Sequence, residues 1–131
     1  MATTVTVRDE TTTGELTYEL ALTLTAERLT GRDLLKFRVQ EEVADYNEKQ
    51  PEYFRGLVQP SDAERTLNGY KLSKARELDW QEQFEKAVEA FERSGFVMLV
   101  NDRQVESLDE EIELTTDTTV TFLKLVPLVG G

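Results

Sequence analysis

Thr119-Val120-Thr121-Phe122-Leu123-Lys124-Leu125 runs into Val126-Pro127-Leu128-Val129-Gly130-Gly131. Val120 to Leu125 is apolar and partly β-branched, alternating loosely with Thr121 and Lys124, which suits a central, mostly buried strand. Pro127 has no amide hydrogen to give to a ladder, so strand pairing is expected to stop there. Leu128 to Gly131 are then expected to project into solvent, making 127–131 a thin tail that ends in a diglycine and a free carboxylate.

Immediately upstream, Phe96-Val97-Met98-Leu99-Val100-Asn101 is an apolar run bounded by turn residues and is expected as a buried strand. Asn101-Asp102 makes the turn from which Arg103 to Val105 can fold back. Glu111 to Leu114 offers a short edge strand, and Thr115 to Thr118 turns into the final strand. At the other end of the chain, Thr3–Asp9 and Glu15–Thr25 both alternate with period two. Leu16, Tyr18, Leu20, Leu22 and Leu24 share one face of the second run. Gly14 closes the turn between them, so the pair is expected as an antiparallel hairpin.

A helix is expected next, capped by Thr30 with Asp33 three residues on. Leu35, Val39, Val43 and Tyr46 form its apolar stripe, while Arg32, Arg38, Glu41, Glu42, Asp45 and Glu48 are expected mostly to face water. It should fade before Pro51. Residues 52–73 hold too many large apolar groups for a free linker. Asn68-Gly69 signals a turn, and the segment is expected to be ordered, with a short helix and a hairpin. Asp79 caps a second helix in which Trp80, Phe84, Val88 and Phe91 recur at helical spacing. That stripe is expected to be core, with Ser94-Gly95 closing the helix.

At 131 residues the chain is expected as a single domain, 1–131, with an insertion at about 49–95. It contains no cysteine and no histidine, so disulfides, thiolate metal sites, a thioester nucleophile and the commonest general base are all missing. No cluster of catalytic residue types appears, so an enzyme in its own right is the poorest fit. A net charge of −11 opposes binding to nucleic-acid phosphates, which needs clustered lysine and arginine. No apolar run approaches the roughly 20 residues of a membrane-spanning helix, and Met1 to Thr13 does not resemble a signal peptide. A cytoplasmic protein is expected, with no bound cofactor and no metal.

The order of elements (hairpin, helix, an excursion with a second helix, then strands closing on the last one) belongs to the α+β class, with a helix packed on one face of a mixed sheet. Its ending resembles the β-grasp fold of ubiquitin-like proteins, and most of all the small sulfur carriers of the MoaD and ThiS families. The residues that carry the likeness are Leu99-Val100-Asn101-Asp102-Arg103-Gln104-Val105, similar to a valine-asparagine hairpin of those families. After them come Glu111-Ile112-Glu113-Leu114, and Val120-Thr121-Phe122 through Pro127-Leu128-Val129-Gly130-Gly131. The N-terminal hairpin and first helix match only in order and pattern, and the middle of the chain has no counterpart in a minimal β-grasp.

The resemblance implies that the Gly131 carboxylate is adenylated by an E1-like activating enzyme using ATP, with Gly130 and Gly131 thin enough to enter a narrow channel. This protein would then be the substrate and supply no base or nucleophile. Transfer to lysines of target proteins would make it a ubiquitin-like modifier, with room for an E2-like enzyme and a JAB-type peptidase. Displacement by sulfide or persulfide would instead give a thiocarboxylate for sulfur transfer, the alternative reading. A third reading is a non-activated interaction module that binds through the insertion. Pro127, Leu128 and Val129 would grip the groove of the activating enzyme on the functional reading, whereas Leu128 and Val129 would pack back onto the sheet on the structural one.

Overall fold

Alternating valine and threonine put Thr3–Thr11 into the first strand (β1), with Val5 and Val7 buried and Thr4 and Thr6 exposed. It pairs antiparallel with Leu16–Leu24 (β2), as the sequence leads one to expect. Gly14, in the turn, takes a φ of 85°, a region that costs glycine little. The structure is a computed structural model that describes residues 2–66, 68–72 and 76–125. The chain divides into two compact units, Met1–Leu34 with Ala90–Gly131, and Leu35–Glu89.

The first unit is built on a five-stranded mixed sheet in the order β2-β1-β10-β7-β8, where β7 is Phe96–Val100, β8 is Arg103–Val105 and β10 is Thr119–Lys124. β10 lies at the centre, parallel to β1 and antiparallel to β7. Its Val120 and Phe122 are fully buried, and the Phe122 ring meets Phe96 at 5.7 Å between centroids. Edge-on and tilted aromatic pairs of this kind add to simple burial. Val97 and Leu99 of β7 are only half-buried, so the apolar run is one-sided rather than fully enclosed.

The β7–β8 loop has Asn101 and Asp102 at φ of 50° and 70°, the positive pair that a two-residue hairpin turn of the right twist requires. A strand absent from the sequence expectations, Arg28–Thr30 (β3), pairs with Glu111–Glu113 (β9) in a separate two-stranded sheet. The expected edge strand at Glu111 therefore exists, but not as part of the main sheet. Leu29 and Ile112 face each other there, both buried.

The first helix, Gly31–Lys49 (α1), starts where expected. Thr30 Oγ1 accepts from the Asp33 amide at 3.2 Å and Asp33 Oδ2 accepts from the Thr30 amide at 3.4 Å, the reciprocal cap. The Gly31 and Arg32 amides go to the carbonyls of Glu110 and Leu108. The second helix is Trp80–Glu92 (α2). Its left-handed closing residue is Ser94, with φ of 59°, and not Gly95. The Gly95 amide donates back to the Ala90 carbonyl at 2.7 Å, satisfying one of the helix's last acceptors.

In the second unit, α1 buries Leu35, Val39, Val43 and Tyr46, the predicted stripe. It also buries Arg38 and Glu42, against the expectation that both face water. They are one turn apart and pair at 3.1 Å, and Glu42 Oε1 accepts the Leu57 amide at 3.2 Å. Each charge is thus matched by the other, the condition for burying an ion at all. Residues 53–72 form a small sheet, order β4-β6-β5, from Tyr53–Phe54 (β4), Ala63–Thr66 (β5) and Gly69–Leu72 (β6). The hairpin around Asn68-Gly69 is as expected, but the short helix is replaced by strands among the described residues. Phe54, 2% exposed, anchors this patch edge-on to Tyr46 at 5.4 Å.

The expectation for α2 is corrected. Trp80, Phe84, Val88 and Phe91 are half-buried, and the buried line of the helix is Gln83 and Ala87. A small side chain and an amide occupy the innermost positions, so the aromatic residues flank that line instead of filling it. Trp80 is also covered by the Lys36 ammonium, 5.9 Å from the ring centroid.

Candidate functional site

Pro127, Leu128, Val129, Gly130 and Gly131, the residues singled out in the sequence, lie outside the described residues. What the structure describes is the point from which they depart. β10 pairs along its length with Thr6–Thr11 of β1 on one side and with Phe96–Val100 of β7 on the other. Its last register positions put Lys124 opposite Thr11 and opposite Phe96. One residue further on, the Leu125 amide donates to the Gly95 carbonyl at 3.2 Å. The main chain is therefore held on both sides up to Lys124 and on the β7 side at Leu125.

Charge is also placed at this end of the sheet. Lys124 lies 3.7 Å from Asp9, whose side chain is almost completely buried. The Asp9 carbonyl accepts from Thr17 Oγ1 at 3.2 Å. A buried carboxylate facing the ammonium of the last strand residue fixes the register of β1 against β10 where β10 ends. The sequence expectations missed Asp9. Its one signal was an acidic residue in phase with the buried Thr3, Val5 and Val7 of a strand.

At its other end β10 is locked by Asn101. The Asn101 amide donates to the Thr119 carbonyl at 2.9 Å, and Asn101 Oδ1 accepts from the Thr119 amide at 2.9 Å. A residue that tolerates positive φ and also carries an acceptor side chain is needed there, and asparagine supplies both. β10, the last strand before Pro127 to Gly131, is thus held at its start by Asn101 and at its finish by Asp9 and Gly95.

A second polar cluster lies in the second unit. Ser61 Oγ donates to Glu82 Oε1 at 2.8 Å and accepts from Lys86 Nζ at 2.7 Å, and Arg76 donates to the Ser61 carbonyl at 2.5 Å. The Ser61 hydrogen bond, with Lys86 and Arg76 nearby, holds the Glu82 carboxyl below the usual glutamate range. A nucleophilic serine needs a neighbour that takes its proton. Here Lys86 donates to the hydroxyl and is itself 3.5 Å from Glu82, so the cluster works as a clasp between the Ser61 loop and α2. Among the described residues no group of three or more histidine, cysteine, aspartate or glutamate side chains could hold a metal ion, and no helix is long and apolar enough to cross a membrane.

No protein-family model, no curated protein and no solved structure matches the chain.

Proposed function

We propose that the chain is a ubiquitin-like β-grasp protein whose Gly131 carboxylate is activated by an E1-like enzyme and passed to target proteins. The observation that supports this most is the position of β10. It is the central strand, parallel to β1, and it stays tied to the sheet up to Leu125, six residues before the end of Gly130-Gly131. The strand order β2-β1-β10-β7-β8, with the first and last strands side by side and parallel, is the arrangement a β-grasp sheet needs. On this reading ATP is consumed by the partner. The carboxylate attacks its α-phosphate, pyrophosphate leaves, and a nucleophile then displaces AMP from the acyl group. An E2-like enzyme would carry the acyl group onward and a JAB-type peptidase would remove it.

The Asn101 lock favours a second reading within the same class. The valine-asparagine hairpin carries the likeness to sulfur carriers, and here that asparagine holds the tail-bearing strand through two 2.9 Å bonds. In that case sulfide displaces AMP and leaves a thiocarboxylate on Gly131. A persulfide would displace AMP to give an acyl disulfide, from which a thiol of the partner enzyme, attacking the other sulfur, would release the thiocarboxylate and form a disulfide. The test is to express the chain ending at Gly131 in its source cells, with and without that residue, and to follow its mass. Isopeptide adducts on other proteins that vanish on deletion of Gly131 support the modifier. An intact mass with terminal oxygen replaced by sulfur supports the carrier. Unchanged function and no adduct or thiocarboxylate in either form would overturn both.

A further inference from the structure

β2 is the outer strand of the five-stranded sheet, and among the described residues no strand lies beyond it. An outer strand displays a row of N–H and C=O groups ready to pair with another chain, and proteins usually blunt such edges with shortness, charge or a bulge. The opposite edge is blunted: β8 has three residues and starts at Arg103, which is bound to Glu110 at 2.6 Å. β2 is nine residues long. Its one charged residue, Glu19, is held by Arg8 of β1 at 3.4 Å. Its apolar face leaves Leu16 at 44% exposure and Tyr18 and Leu20 half-buried.

The order of residues along this edge is the deciding feature. Leu16-Thr17-Tyr18-Glu19-Leu20-Ala21-Leu22-Thr23-Leu24 reads nearly the same in both directions about Leu20. We infer that β2 pairs antiparallel with β2 of a second copy of this chain, about a two-fold axis at Leu20, joining two five-stranded sheets edge to edge. In that register Leu20 faces Leu20, Tyr18 faces Leu22, Leu16 faces Leu24 and Thr17 faces Thr23. Glu19 faces Ala21 and not another glutamate. Apolar residues thus face apolar residues on one side, Thr17 faces Thr23 on the other, and no like charges are opposed, an arrangement in which cross-strand pairs stabilise a sheet. A shift of two residues one way would set Glu19 against Glu19, and the opposite shift would give up the palindromic match, setting Glu19 against Thr23 and Ala21 against Ala21. A one-residue slip would turn the second copy's apolar face to the wrong side.

The contact is small. The β1–β2 register shifts between Asp9 and Glu10, which leaves Thr17 outside the regular ladder. The regular part of the pairing therefore runs from Tyr18 to Leu22. A contact of this size gives a weak, concentration-dependent dimer. The net charge of −11 on each copy opposes association at low salt, and screening relieves it, so dimerisation should strengthen as salt is added. The edge involves none of Pro127 to Gly131, so this pairing stands or falls apart from the proposed function.

The test is sedimentation of the full chain from about 10 μM to about 1 mM, at roughly 50 mM and 500 mM salt. The mass should rise from 15.0 kDa towards twice that value, further at the higher salt. Ala21 is exposed, so its variants keep the fold. Ala21→Lys sets a lysine against Glu19 of the other copy, twice by symmetry, and should lower the dissociation constant roughly five-fold, whereas Ala21→Glu should raise it by a similar factor. The chain has no cysteine, so Leu20→Cys puts its only thiol on the axis, where opposed Cα atoms about 4.5–5.5 Å apart suit a disulfide. L20C should cross-link under mild oxidant while T23C, displaced along the strand from its own copy, should not. A mass of 15.0 kDa throughout, equal behaviour of A21K and A21E, or equal cross-linking of L20C and T23C would overturn the pairing.

Discussion

The two units are held by different kinds of contact. The main sheet of the first unit has an interior dominated by Val5, Val7, Met98, Val120 and Phe122, with one buried carboxylate, Asp9, facing Lys124 at the end of β10, and β1 and β10 are long enough to alternate several times. The second unit has strands of two to four residues and buries Arg38, Glu42 and Gln83 beside Phe54, Leu57 and Leu78. Its loops are fastened by side-chain bonds to the main chain: Asn47 accepts from the Leu78 amide at 2.8 Å and donates to the Leu78 carbonyl at 2.9 Å. Apolar burial is non-directional and tolerates approximate geometry. Buried polar pairs are directional, and each must be satisfied or it destabilises. The first unit should therefore respond most to lost volume, and the second to lost charge.

The largest effect is expected at Phe122. Phe122→Ala removes a fully buried ring from the central strand and leaves the Phe96 ring facing a cavity. The expected loss is about 4 kcal/mol, read from urea unfolding, with hydrogen exchange rising across β1, β7 and β10. A loss below about 1 kcal/mol would mean that the site collapses freely and that β10 is not the centre of a packed sheet.

Next in size is Glu42. Glu42→Leu takes away the carboxylate that accepts from Arg38 and from the Leu57 amide, and the expected cost is about 3 kcal/mol. Adding Arg38→Met to the same chain should recover most of that loss, because the two charges leave together. If the double variant were as unstable as the sum of the singles, the pair would not be coupled and the contrast between the units would fail.

These differences explain what could be read from the sequence. Val5, Val7, Leu22 and Leu24 announce their strands because period-two alternation is local. Asn101-Asp102 announces its turn because the dipeptide itself favours positive φ. Arg38 and Glu42 were hidden because a charged residue reads as solvent-facing, and the group that justifies burying Glu42 is the amide of Leu57, beyond the end of the helix. β3 was hidden because three residues, Arg28–Thr30, are too few to show a period, and its partner lies at Glu111–Glu113. On α2 the aromatic spacing was correct as a pattern. Gln83 and Ala87 took the inner line, which spacing alone could not foretell. The chemistry proposed for Pro127 to Gly131 rests on the sequence; the structure describes what precedes them, Lys124 with Asp9 and Leu125 with Gly95.

A smaller effect is expected at Asn101, where the polar logic of the second unit recurs inside the first. Asn101→Ala removes the acceptor of the Thr119 amide and puts alanine at a φ of 50°. The expected cost is about 1–2 kcal/mol, with faster exchange at the Thr119 amide than at Phe122. Asn101→Gly restores the backbone freedom but not the acceptor and should fall between the two, which separates strain from hydrogen bonding.

The smallest effect, and the one that tests the second unit's polar character most directly, is its response to acid. The Glu82 carboxyl is held below the usual glutamate value, first of all by the Ser61 hydrogen bond; burial pushes the other way, and Lys86 and Arg76 add smaller lowering contributions. A carboxyl whose folded pKa is depressed contributes stability that is fully present above its unfolded value of about 4.3. That contribution is lost as pH falls through the lower folded value. Unfolding free energy measured in urea should therefore lose Glu82's share below about pH 4.3, and Ser61→Ala should shrink that share while leaving the Lys86–Glu82 pair in place. Glu82→Gln should abolish it. The side chain is nearly half-exposed, so the effect is screened and should weaken as salt is raised, whereas the buried Arg38–Glu42 pair should hold its strength. Equal salt sensitivity of the two pairs would mean that burial does not distinguish them, and the unit's polar contacts would then be surface contacts in energetic terms.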